Sequence, residues 1–99
     1  MIVVAGKVSV KPEARADAVA AAERMATATR AEPGCISYGF FADVSDPNTI
    51  LIFEQWEDDA ALERHFATPH MAAFAADIPR FIAGAAAIKR YVVESISSM

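Results

Sequence analysis

The chain opens with an alternation. Ile2, Val4, Val8 and Val10 fall on one side of an extended segment, and Val3, Ala5, Lys7 and Ser9 on the other, which predicts a strand. Pro12 suits the first turn of a helix, where its missing N–H does no harm. From Glu13 to Ala31 the period changes: Ala14, Ala18, Ala21, Ala22, Met25 and Ala28 recur at helical spacing, with Arg15, Asp17, Glu23, Arg24 and Arg30 mostly elsewhere. Glu32-Pro33-Gly34 stops this helix. Cys35 to Asp43 is aromatic-rich and reads as a second strand. Ser45-Asp46-Pro47-Asn48 is turn chemistry, and Thr49 to Trp56 is a third strand, so the two strands form a hairpin.

Asp58 suits the N-cap of a helix carrying Ala60, Ala61, Leu62, His65 and Phe66. Thr68 and Pro69 suit the cap and first residue of a shorter helix with Met71, Phe74 and Ala75. Pro79 is expected to break it, and Phe81-Ile82 to anchor the loop that follows. From Ala86 to Ile96 a last strand sets Ile88, Val92 and Ile96 against Tyr91 and Val93. The order β-α-β-β-α-β is the split βαβ, ferredoxin-like order: an α+β fold with an antiparallel sheet and helices on one face. A chain of 99 residues supports one core, so residues 1–99 are expected to form a single domain.

The third strand has two apolar faces, Ile50 and Ile52 against Leu51 and Phe53. The second is similar, with Ile36, Tyr38 and Phe40 against Cys35 and Phe41. Helices on one side leave the other side bare, a liability for a monomer. Pairing with a second sheet covers it, so a homodimer is expected, twofold closure being the commonest solution.

Composition narrows the partners. The hydrophobic share of 55% is rich in alanine, and the net charge of −4 comes with nine Lys and Arg spread thinly, so no basic patch invites nucleic acid. No run of 18 apolar residues suggests a membrane span, and the first residues lack a signal-peptide pattern. Cys35 is the only cysteine, which fits a reducing, cytoplasmic setting. No glycine-rich phosphate loop offers an anchor for nucleotide or flavin. His65 and His70, either side of a Pro break, do not by themselves make a metal site. No cofactor and no metal are therefore expected.

Several segments together carry a resemblance: Glu32-Pro33-Gly34-Cys35, the strand end Phe53-Glu54-Gln55-Trp56-Glu57-Asp58, the helix Ala61-Leu62-Glu63-Arg64-His65, then Thr68-Pro69-His70 and Phe74. In this order and spacing the chain resembles the antibiotic biosynthesis monooxygenase (ABM) domain family, which includes quinol monooxygenases and anthrone-oxidising enzymes. The resemblance implies a dimeric α+β barrel with a pocket between sheet and helices in each subunit. Relatives of similar shape include haem-degrading enzymes and an isomerase of a phosphorylated sugar. The haem-degrading branch works with an Asn, a Trp and a His. Here the first strand holds no Asn and His65 stands where that branch has Trp, so haem is disfavoured.

Among the candidate residues, His65 flanks the apolar stripe of its helix and belongs to a residue type that titrates near neutrality. It is either a proton acceptor for a phenolic or enolic substrate or a semi-buried histidine bonded to backbone. The family resemblance favours the first. Glu54 interrupts an apolar strand, where a lone carboxylate is costly. It is expected either to meet a cation such as Arg90 in a structural role or to line a polar pocket, with orientation of His65 as the functional alternative. Trp56 is expected to be a packing residue that also forms a pocket wall, and Phe66 to shape the same cavity. Tyr38, Phe40 and Phe41 are expected either as core or dimer contacts or as an aromatic wall for a flat ring. His70 is expected to be exposed and of minor importance. The activity expected is cofactor-independent oxidation of a quinol or polycyclic phenol by dioxygen. The alternatives are an isomerase of a small phosphorylated ketose, using Lys7, Lys89 or Arg90, and a non-enzymatic small-molecule-binding or stress-response module.

Overall fold

A computed structural model describes residues 1–99. β1 (Ile2–Ser9) leads through a 3-10 turn at Pro12–Ala14 into α1 (Arg15–Arg30). β2 (Cys35–Asp43) and β3 (Asp46–Trp56) form the hairpin. α2 (Asp59–Phe66) and α3 (Pro69–Phe81) follow, and β4 (Ala87–Val92) closes the sheet. The strand order is β2-β3-β1-β4 with every neighbouring pair antiparallel, which is the ferredoxin-like sheet. No helix is long and apolar enough to cross a membrane.

The register explains how the core forms. Ile2 pairs with Trp56 and Val4 with Glu54, so these four side chains share the face that the helices cover. Ile2, Val4, Met25, Ala26, Tyr38, Trp56, Ala61 and Leu62 make one buried cluster there. The next residues along each strand, Val3, Ala5, Leu51 and Phe53, point to the opposite face and are only partly buried. On that face Tyr91 is about half exposed.

Both caps form as expected: Asp58 accepts from the Ala61 N–H at 2.8 Å, and Thr68 Oγ1 from the Met71 N–H at 3.2 Å. Four details differ from the sequence reading. α3 continues through Pro79 to Phe81. Its end is pinned to the exit of β1, where Lys11 N–H donates to Phe81 O and Ala83 N–H to Ser9 O, both at 2.8 Å, and Phe81 is buried. The hairpin turn is tighter, at Val44-Ser45, and Asp46-Pro47-Asn48 joins β3 as an irregular stretch in which Asp46 caps Asn48 and Thr49. A register shift at Ile36 exposes that residue and brings Cys35 onto the core side. β4 ends at Val92, short of the expected Ile96.

Candidate functional site

The turn from α1 to β2 sets the site. Gly34 has φ of +83°, and a Cβ there would stand 2.5 Å from Ala61 Cβ, so only glycine lets the turn lie against the start of α2. The Glu57 N–H donates to Gly34 O at 2.9 Å and ties the same turn to the end of β3. Glu32 is thereby carried over the helix pair. Its Oε2 accepts from Nδ1–H of His65 and from Nε2–H of His70, each at 2.7 Å.

His65 is 1% exposed. Its ring lies 4.9 Å from that of Trp56, 5.7 Å from Tyr38, 5.9 Å from Phe66 and 6.1 Å from His70, centroid to centroid. His70, expected to be a free surface group, instead packs against the cluster with its side chain 27% exposed. The reason is positional: Thr68 and Pro69 start α3 so that its first turn faces Glu32.

Glu54 is buried, and it neither meets Arg90 nor bonds to His65. Its Oε1 accepts from the Trp56 indole N–H at 2.9 Å. Burial pushes its carboxyl above the ordinary value, against the Trp56 bond and the nearby His65, with Glu32 adding to the rise. Arg90 reaches across the surface to Asp59 at 2.8 Å and Glu63 at 3.5 Å. Burial also raises the Tyr38 hydroxyl far above the usual phenol range, with Glu54 and Glu32 adding to it, so Tyr38 stays neutral. Burial and the same two carboxylates, Glu32 before Glu54, raise the Cys35 thiol, which fits an unreactive strand residue.

A half-open cavity of about 610 Å³ lies farther along the sheet, between the β1–β3 surface and helices α1 and α3. Phe40, Ile50, Ile52, Phe74 and Phe81 are among its mostly apolar lining. Of the residues singled out for a pocket, Phe40 and Phe41 of β2 are on that lining; Trp56, Glu54, Tyr38 and Phe66 are not, and neither is His65. Trp56 is fully buried, and Phe66 is about half exposed on the outer side of α2. Tyr38 links the two regions, its ring 5.4 Å from Phe40 and 5.7 Å from His65.

The cations of the cavity are also different from those expected. Lys7 and Lys89 sit on the uncovered sheet face, and Arg90 is held in its ion pairs. Arg15 and Arg30 line the cavity instead. Arg15 Nε donates to Pro47 O at 3.0 Å, and Arg30 Nε to Tyr38 O at 2.9 Å.

Comparison with known proteins places the chain in a family. The profile of the family described as antibiotic biosynthesis monooxygenase matches residues 1–77. A Synechocystis protein with no assigned activity is 39% identical over 98 residues, which is 99% of this chain and 67% of that one. "Putative monooxygenase YcnE" of Bacillus subtilis is 37% identical over 76 residues, covering 77% and 80% of the two chains. The solved structure of Rv0793 from Mycobacterium tuberculosis superposes with a TM-score of 0.90 at 26% identity, covering 98% of each chain. The chain belongs to the antibiotic biosynthesis monooxygenase family.

Proposed function

We propose that this protein oxidises a quinol or polycyclic phenol with dioxygen, without flavin, haem or metal, in a reducing, cytoplasmic compartment. The observation that carries the reading is the cavity: about 610 Å³, apolar and aromatic-lined, with Arg15 and Arg30 as its cations. That volume suits a small ring system, and the two guanidiniums suit the phenolate it becomes. A deprotonated, electron-rich ring can itself reduce dioxygen, so the protein needs a dry cavity, a base and stabilisation of the anion.

His65 is the base in this reading. Donation from its Nδ1–H to Glu32 leaves Nε2 as the proton acceptor, the arrangement in which a third group orients a base. Tyr38 stands between the cavity wall and His65, so the reading requires that ring to turn aside when substrate binds. The chain works as a homodimer, with the partly exposed Val3, Leu51 and Phe53 of one sheet packed on those of another.

A second reading is binding without turnover, favoured by the burial of His65 and its separation from the cavity lining. Oxygen consumption against a panel of hydroquinones and anthrones, in chelator-treated protein, separates the two. Turnover that falls in His65→Ala supports oxidation. Saturable binding of the same compounds with no oxygen uptake supports the second reading.

A further inference from the structure

We propose that Glu32, His65 and His70 form a three-ligand site for a divalent transition-metal ion of the zinc class. The three come from separate segments: the α1–β2 turn, the last turn of α2 and the first turn of α3. Yet Nδ1 of His65, Nε2 of His70 and a carboxylate oxygen of Glu32 lie within 4.8 Å of one another. Both rings approach the same oxygen, each at 2.7 Å. In the metal-free chain, two N–H protons occupy the space between the donor atoms.

One divalent ion can take that space once each ring moves its proton to its far nitrogen, Nε2 of His65 and Nδ1 of His70. Each imidazole then presents a lone pair, and the carboxylate supplies a negative charge. Zinc bonds of about 2.0–2.2 Å in a tetrahedral arrangement would ask each ring to recede from the oxygen by roughly half an ångström. Two imidazoles and a carboxylate suit zinc and its first-row neighbours, whereas magnesium and calcium favour all-oxygen sites. Burial is graded: His65 is sealed against Trp56, while the His70 side chain is 27% exposed. That side gives access to an ion and leaves room for water as a fourth ligand. A proton relay through the same three groups is chemically poorer. With both rings donating to Glu32, neither of those nitrogens can accept a proton.

Metal binding does not rest on the oxidation reading. Where that reading holds, the two oppose each other, because a metal on Nδ1 leaves the His65 proton on Nε2 and removes the base. Untagged, chelator-stripped protein titrated with Zn²⁺ by calorimetry, and with Co²⁺ by visible absorption, tests the site. The expected result is one ion per chain, with the ligand-field bands of low-symmetry Co²⁺ growing to equivalence. His70→Ala and Glu32→Gln should each weaken binding by more than the roughly 10–100-fold that loss of an outer-shell partner costs. His70→Ala alters a partly exposed ring, so it keeps the test open should Glu32→Gln misfold. No binding by the wild-type chain, or binding that both folded variants retain at full affinity, overturns the proposal. The quinol assay on stripped protein is separate, so failure of one reading leaves the other standing.

Discussion

Glu32 Oε2 lies 2.7 Å from Nδ1 of His65, although 33 residues separate the two along the chain. The left-handed Gly34 and its seat on Ala61 bring them together. If this pair sets the tautomer of a base, both partners should matter to turnover. His65→Ala should cut hydroquinone oxidation by about 10²–10⁴-fold, the usual contribution of a positioned base. Glu32→Gln should lower kcat in the same direction with KM little changed, since Glu32 is absent from the cavity lining. Steady-state oxygen uptake checks both, with sedimentation confirming an unaltered assembly. Full rate in His65→Ala would withdraw its catalytic assignment.

Trp56 carries a stability prediction. It is fully buried and supplies the only hydrogen bond to the Glu54 side chain. Trp56→Ala should cost about 3–5 kcal/mol, a large part of the roughly 5–15 kcal/mol that holds a domain together. Trp56→Phe keeps most of the ring but orphans the carboxylate, at about 1–3 kcal/mol. Each kcal/mol corresponds to about 4–8 °C in Tm for a domain of this size. Thermal unfolding reads both, and an unchanged Tm in Trp56→Ala would contradict its burial.

Glu54 gives a pH dependence of defined sign. Burial raises its carboxyl in the folded chain above the ordinary value. The folded state therefore holds the proton more tightly than the unfolded state. The stability this confers is fully present below the ordinary carboxylate range and is lost as pH rises through the folded value. Glu54→Gln, which can still accept from Trp56, should gain in Tm over wild type at neutral pH. That advantage should shrink as pH falls into the acid range. A difference that is the same at both ends would remove Glu54 as the source.

The uncovered sheet face predicts the assembly. Wild-type protein should sediment at twice the 10.6 kDa chain mass. Phe53→Glu places a charge at the middle of the bare face, and a twofold axis would place it there twice. Burying such charges unpaired is costly, so this variant should sediment as a folded monomer. A wild-type chain that is already monomeric at micromolar concentration would end the dimer reading.

Local physics made the fold legible from sequence. Strand alternation, two side-chain caps and the Pro-Gly turn each act over a few residues, and β2 appears with the bounds the sequence suggested. Pro79 misled because its cost depends on where it sits. Near a helix end that β1 already pins, the break is not needed. Ile36 misled because a bulge moves one residue without leaving a periodic trace. The site was half legible. His65 stood out by type and position, but Glu32 read only as part of a helix stop. Its partners lie 33 and 38 residues away, and no spacing rule reaches that far.

The contact between Trp56 and His65 equips the molecule with its own optical reporter. Trp56 is the chain's sole tryptophan, shielded from water, with its ring 4.9 Å from the imidazole. Its emission should be blue-shifted in the native state and move red on unfolding. A proton or an ion arriving at His65 changes the charge beside the indole, and with it the emission intensity. Events at the imidazole can thus be followed in the unlabelled protein, with the His65→Ala chain as the silent control.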